Sequence, residues 1–176
     1  MKLLKEMNLN EIGGYICDAL QVVNIDVVLS GGSCVEIYSQ GTYTSKDLDF
    51  INRYNESKKM IEKVMLSLGF KQENRYFFHD DIEYLIEFPP GPLGVGDSPV
   101  DEINQIETET GVLRLLTATD CIKDRLAAYY HWDDAQSLQQ AIWVAQKNKF
   151  DLESIVKWSE TENMLQKYLI FLEGIK

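Results

Sequence analysis

The chain has 176 residues, 45% hydrophobic and 11% aromatic, enough to bury a core of ordinary size, and one compact domain is expected. Its 28 acidic and 17 basic residues give a formal net charge of −11, which argues against a surface that grips nucleic acid along its whole length, because neutralising phosphates takes clustered Lys and Arg, and suits a basic protein partner. No apolar run approaches membrane-spanning length and residues 1–10 lack a signal peptide's apolar region, so a cytoplasmic protein without membrane association is expected, with Cys17, Cys34 and Cys121 as isolated reduced thiols.

The first expected element is a helix over residues 10–23, whose stripe of Ile12, Tyr15, Ile16, Ala19, Leu20 and Val23 reads as core. Residues 27–29 read as a buried strand, Gly31-Gly32 as a sharp turn with room for close approach, and residues 33–38 as a short helix. The free N–H groups and positive dipole end of such a helix start favour phosphate. Residues 46–52 form the next expected strand, and side chains two apart share a face, so Asp47 and Asp49 point the same way. Paired carboxylates repel unless a positive charge sits between them. Oxygen ligands without His or Cys suit Mg²⁺ or Mn²⁺. Alone, Gly-Gly is a turn and Asp-x-Asp a solvated strand end; in this order, with a helix between them, they suggest phosphoryl chemistry.

A helix over residues 56–68 follows, ended by Gly69, with Lys58, Lys59 and Lys63 as a solvated face or a local basic patch. Residues 75–79 and 82–88 read as a hairpin turning at Asp80-Asp81, with Ile82, Tyr84, Ile86 and Phe88 on one face and Glu83, Leu85 and Glu87 on the other. Residues 89–99 are expected to be irregular, and residues 102–116 to form a hairpin around Thr110-Gly111. Everything beyond Thr117 reads as helical, over residues 119–130, 135–147, 152–159 and 164–172, with Asp133 or Asp134 and Asp151 as N-caps. His131, followed by Trp132, reads as a packing and capping residue.

The stretch from Val27 to Phe50 resembles the nucleotidyltransferase superfamily with the polymerase-β-like catalytic fold, whose signature is strand, Gly-Gly or Gly-Ser, helix, then Asp-x-Asp on the next strand. A Ser two residues before Asp-Leu-Asp is similar to the minimal, AbiEii-toxin-like branch, although Tyr43 stands where many members have Arg. The resemblance implies an α+β fold, a small mixed β-sheet flanked by helices with a C-terminal helical bundle: a core over residues 1–116 and a helical region over 117–176 packed on it as one unit. It implies that Gly31, Gly32, Ser33 and Ser45 hold the triphosphate of an NTP, and that Asp47 and Asp49 bind two catalytic Mg²⁺ or Mn²⁺ ions together with a third carboxylate, best supplied by Glu87 and otherwise by Glu83. Residues 121–128 and 137–141 resemble the family's later block, which implies that Lys123 or Arg125 faces the phosphates, supported by Asp124. The implied activity is transfer of a nucleoside monophosphate to an RNA or protein acceptor, on the toxin side of a toxin–antitoxin or phage-defence pair with a basic antitoxin as partner. The alternative is a catalytically inactive nucleotide-binding or interaction module of the same fold.

Overall fold

Leu29 has a partner on each side, Phe50 in one neighbouring strand and Leu115 in the other, and this central ladder sets the fold. A computed structural model describes residues 2–54 and 57–176. After a 3-10 turn at Leu4–Glu6, α1 (Leu9–Gln21) starts at a capping box in which the Asn8 side chain accepts from the Glu11 N–H and the Glu11 carboxylate accepts from the Asn8 N–H. Then follow β1 (Val27–Ser30), α2 (Gly31–Tyr38), β2 (Asp47–Asn52) and α3 (Lys58–Ser67). Next come β3 (Lys71–Glu73), β4 (Tyr76–Phe78) and β5 (Leu85–Glu87), a small ribbon of β6 (Gly94–Val95) and β7 (Ser98–Pro99), and the hairpin β8 (Ile103–Thr108) and β9 (Gly111–Leu116). Four helices close the chain: α4 (Ala118–Trp132), α5 (Ala135–Lys147), α6 (Leu152–Thr161) and α7 (Leu165–Gly174).

The main sheet has seven strands in the order β3-β4-β5-β2-β1-β9-β8. It is mixed: β1 runs antiparallel to β2, whereas β2–β5 and β1–β9 are parallel. Register sorts the side chains onto two faces. Leu29, Leu48, Phe50, Ile86 and Leu115 share one, and α1 lies on it so closely that a Cβ on Gly13 would stand 2.7 Å from Leu113 Cδ1. Ser30, Asp47, Asp49 and Glu87 share the other. A slip of one residue in β2 would bury both aspartates and expose Phe50, whose burial is worth about 2–3 kcal/mol. On the C-terminal side α4 and α5 pack on each other and on α2. One apolar cluster runs from Ile16, Leu29 and Phe50 through to Leu126, Val144 and Phe171. Cys34 on α2 and Cys121 on α4 lie against each other within it, and burial, then the neighbouring thiol, pushes the Cys34 thiol pKa well up. Among the described residues no helix is long and apolar enough to cross a membrane.

Several local expectations need correction. The helix expected from residue 33 already begins at Gly31, so both glycines belong to its first turn. The expected start at residue 56 lies outside the described residues. The tight turn expected at Asp80-Asp81 falls instead at residues 74–75, where Asn74 adopts a left-handed φ of 56° and joins β3 to β4. Residues 79–84 form a longer connection, because β5 is confined to the three residues that pair with β2. The stretch 89–99 contains the β6–β7 ribbon. Asp134 caps α5, accepting from the N–H groups of Gln136 and Ser137, while Asp133 ends α4 in a left-handed conformation.

Candidate active site

β2 presents Asp47 and Asp49 on the face away from α1, and β5 adds Glu87, directly opposite Asp49 in parallel register. Three carboxylates thus gather where β2 and β5 run side by side. Burial, then Glu87, then Asp47 push the Asp49 pKa up to about 6, while Arg125 works in the opposite direction. The Ser30 hydroxyl donates to the Asp49 carbonyl at 3.2 Å and fixes the backbone there.

The glycine turn meets this cluster directly. Gly31 has a φ of +62°, a left-handed conformation that favours glycine. A Cβ on it would run into Asp49 Oδ2. A Cβ on Gly32 would stand 2.9 Å from the Ser45 hydroxyl and 3.2 Å from that of Tyr43. The room expected beside the two glycines is therefore filled by the chain's own carboxylate and hydroxyls. Ser33 is fully buried and its hydroxyl donates to the Ser30 carbonyl at 3.4 Å, so the structure does not bring that hydroxyl to the open face. Ser45 clasps the start of β2: its N–H donates to Glu36 Oε2 at 2.6 Å and its hydroxyl to the Asp47 carbonyl at 3.0 Å.

Of the two basic residues expected on α4, Arg125 lies near the carboxylates and Lys123 does not. Arg125 is close enough to act on Asp49, and its guanidinium donates twice to Asp124 Oδ2, at 3.0 and 2.6 Å. Burial works against its charge, but the Asp124 carboxylate more than offsets this and raises its pKa. Lys123 instead pairs with Asp120 at 3.3 Å, beside the ribbon and α6. Two residues apart on a helix means nearly opposite directions. Glu83, the reserve carboxylate, sits exposed in the connection before β5. His131, expected to pack and cap, instead lies exposed in the last turn of α4, where it pairs with Glu162 at 2.9 Å and meets Trp132 edge-on. Lys58, Lys59 and Lys63 are exposed along α3.

Sequence reading missed Arg75. It stands at the β3–β4 turn with its Nε 3.3 Å from Glu87 Oε1. Only the pairing Tyr76↔Glu87 brings it there, and residues 71–73 carry no alternation that marks a strand. A groove of about 720 Å³ opens at the Asp47 end, lined by Lys5, Ser45, Lys46, Asp47, Glu83 and Tyr84 among others.

Asp47, Asp49 and Glu87 offer oxygen donors alone on one face of adjacent strands, the donor type that suits a hard cation, and burial first, then Glu87 and Asp47, raises the Asp49 pKa. Among the described residues no three such groups form a ready-made metal site, and Glu87 is already engaged by Arg75.

No protein-family model and no curated protein matches the chain. Two solved structures are similar to it. The solution structure of the antibiotic-resistance factor ANT(2'')-Ia shares 15% identity at a TM-score of 0.52, covering 92% of this chain and 95% of that one. The crystal structure of ANT(2'')-Ia in complex with adenylyl-2''-tobramycin shares 15% identity at a TM-score of 0.52, covering 88% and 95%. The likeness shows a nucleotidyltransferase fold, a mixed sheet flanked by helices with C-terminal helices.

Proposed function

We propose that the chain transfers a nucleoside monophosphate from an NTP to a hydroxyl or phosphate acceptor, releasing pyrophosphate. The observation that carries this reading is the register of Asp49 with Glu87, beside Asp47 and against the first turn of α2. Asp47, Asp49 and Glu87 would hold two Mg²⁺ or Mn²⁺ ions, which supply charge neutralisation at the transferred phosphoryl group. The Ser30 and Ser45 bonds hold β2 rigid, so the carboxylates meet the substrate already oriented. The N–H groups that open α2 and the half-buried Arg125 offer positive potential to the triphosphate. The groove at Asp47 is where the acceptor would approach the cluster, along Asp47. ANT(2'')-Ia, seen with adenylyl-2''-tobramycin, supports extending the acceptors tried from RNA and protein to small hydroxylated molecules. The Ser-x-Asp-x-Asp spacing supports an AbiEii-like, toxin or phage-defence setting with a basic antitoxin.

A second reading, a nucleotide-binding or interaction module without turnover, is favoured by Tyr43 and Ser45 filling the face of Gly32. Pyrophosphate release from each NTP, with Mg²⁺ and RNA, protein or small hydroxylated acceptors, separates the two. Release that falls on the order of a hundredfold or more in Asp49→Asn, with NTP affinity little changed, supports transfer. NTP binding without release from any acceptor pool supports the module.

A further inference from the structure

We propose that Arg75 is a phosphate-binding residue, parked on Glu87 until Glu87 ligates a cation and then free to grip the triphosphate of the incoming nucleotide; this rests on the nucleotidyl-transfer reading. The first ground is how the other cations are held. Tyr43 provides no charge beside the glycine turn, Lys123 is tied to Asp120, Arg125 is locked by two hydrogen bonds to Asp124, and Lys5 and Lys46 line the groove at Asp47, which Glu87 does not border. Arg75, by contrast, has a side chain 66% exposed, against 18% for Glu87. Its Nη2 donates to the Tyr76 hydroxyl at 2.6 Å and its guanidinium lies over the Tyr76 ring.

The second ground is position. The register Tyr76↔Glu87 sets the β3–β4 turn at the rim of the carboxylate cluster, and the charge of Arg75 interacts with Asp49 as well as Glu87. A guanidinium is the fork that matches phosphate oxygens two at a time. The third ground is exclusivity. Glu87 Oε1 faces Arg75 at 3.3 Å, and a second positive charge at that oxygen would repel the first. When Glu87 turns to a cation, Arg75 loses its partner while still tethered within reach of the site.

The test is calorimetry on the intact chain, first with Mn²⁺ alone and then with each NTP in the presence of Mn²⁺. Arg75→Ala should bind Mn²⁺ severalfold more tightly, because the competitor is gone, yet bind NTP roughly ten- to a hundredfold more weakly, the scale of one charge-assisted contact. Arg75→Lys should keep the competition for Glu87 while recovering part of the NTP affinity. These opposite signs are not produced by general damage, and a melting curve for each variant checks folding. Unchanged or weaker Mn²⁺ binding in Arg75→Ala, or unchanged NTP binding, overturns the role of Arg75 and leaves nucleotidyl transfer standing. A wild-type chain that binds neither Mn²⁺ nor NTP overturns both.

Discussion

The carboxylate of Asp49 occupies the space that a side chain at Gly31 would need. Strand β2 and the first turn of α2 are thereby in direct contact, and the glycine lets an acid approach the helix start. The contact combines an anion with the positive end of a helix. A side chain at position 31 would be strained twice over: φ is +62° and the Cβ site is taken.

Gly31→Ala should therefore cost more than a left-handed backbone alone. Gly41 is the control, with a φ of +77° and nothing within 4 Å of its Cβ site. Gly41→Ala should lower stability by about 1–2 kcal/mol and Gly31→Ala by roughly 2–4 kcal/mol, measured by urea unfolding. Equal losses would mean that the Asp49 contact is absent.

Asp49 also makes stability depend on pH. Its carboxyl titrates at about 6 in the folded chain against 3.8 for a free aspartate, so between these values the folded state binds more protons than the unfolded one. Stability then falls as pH rises from about 4 to 6 and levels off above. Asp49→Asn removes the charge. It should be more stable than wild type at pH 7.5, by on the order of 2 kcal/mol, and close to it at pH 4. A wild-type chain that gains stability across that window through this residue would contradict the assignment.

If the carboxylates of Asp47, Asp49 and Glu87 take a divalent ion, binding must stabilise the folded chain. At a hundredfold excess of free Mn²⁺ over its dissociation constant the gain is about 2.7 kcal/mol. Thermal melting should rise with Mn²⁺ in wild type and stay flat in the Asp47→Asn, Asp49→Asn double variant. A rise of equal size in both would place the ion elsewhere.

In the helical region the Tyr130 hydroxyl lies 2.9 Å from the Ser159 hydroxyl, and its ring stacks on Trp158 at 5.4 Å. Ser159 keeps a second bond to the Ile155 carbonyl, so Tyr130→Phe should cost only about 1 kcal/mol. Tyr130→Ala, which also removes the ring, should cost roughly 3–5 kcal/mol. Both are read from denaturant midpoints, and a Tyr130→Phe loss as large as that of the alanine variant would mean that the hydroxyl, not the ring, carries the packing.

How much of this was legible in the chain depends on the range of the interaction concerned. The hydrophobic run 27–29, the alternation around Asp47 and Asp49 and the apolar stripe from Ile12 to Leu20 are local patterns, and they survive into β1, β2 and α1 because burial of one face enforces them, whereas Val23, expected on the stripe, lies exposed beyond the end of α1. The common face of Asp47 and Asp49, the mixed sheet and the four late helices follow from such patterns and from the resemblance they carry. What lies opposite what does not. That Glu87 pairs with Asp49, that Arg75 reaches Glu87 across a β4–β5 ladder, that Arg125 rather than Lys123 comes near Asp49, and that Tyr43 and Ser45 close over Gly32 are set by strand register and helix rotation. Those quantities are fixed by contacts between residues tens of positions apart, where a shift of one residue reverses a side chain's direction at little local cost, so the tertiary structure alone decided them.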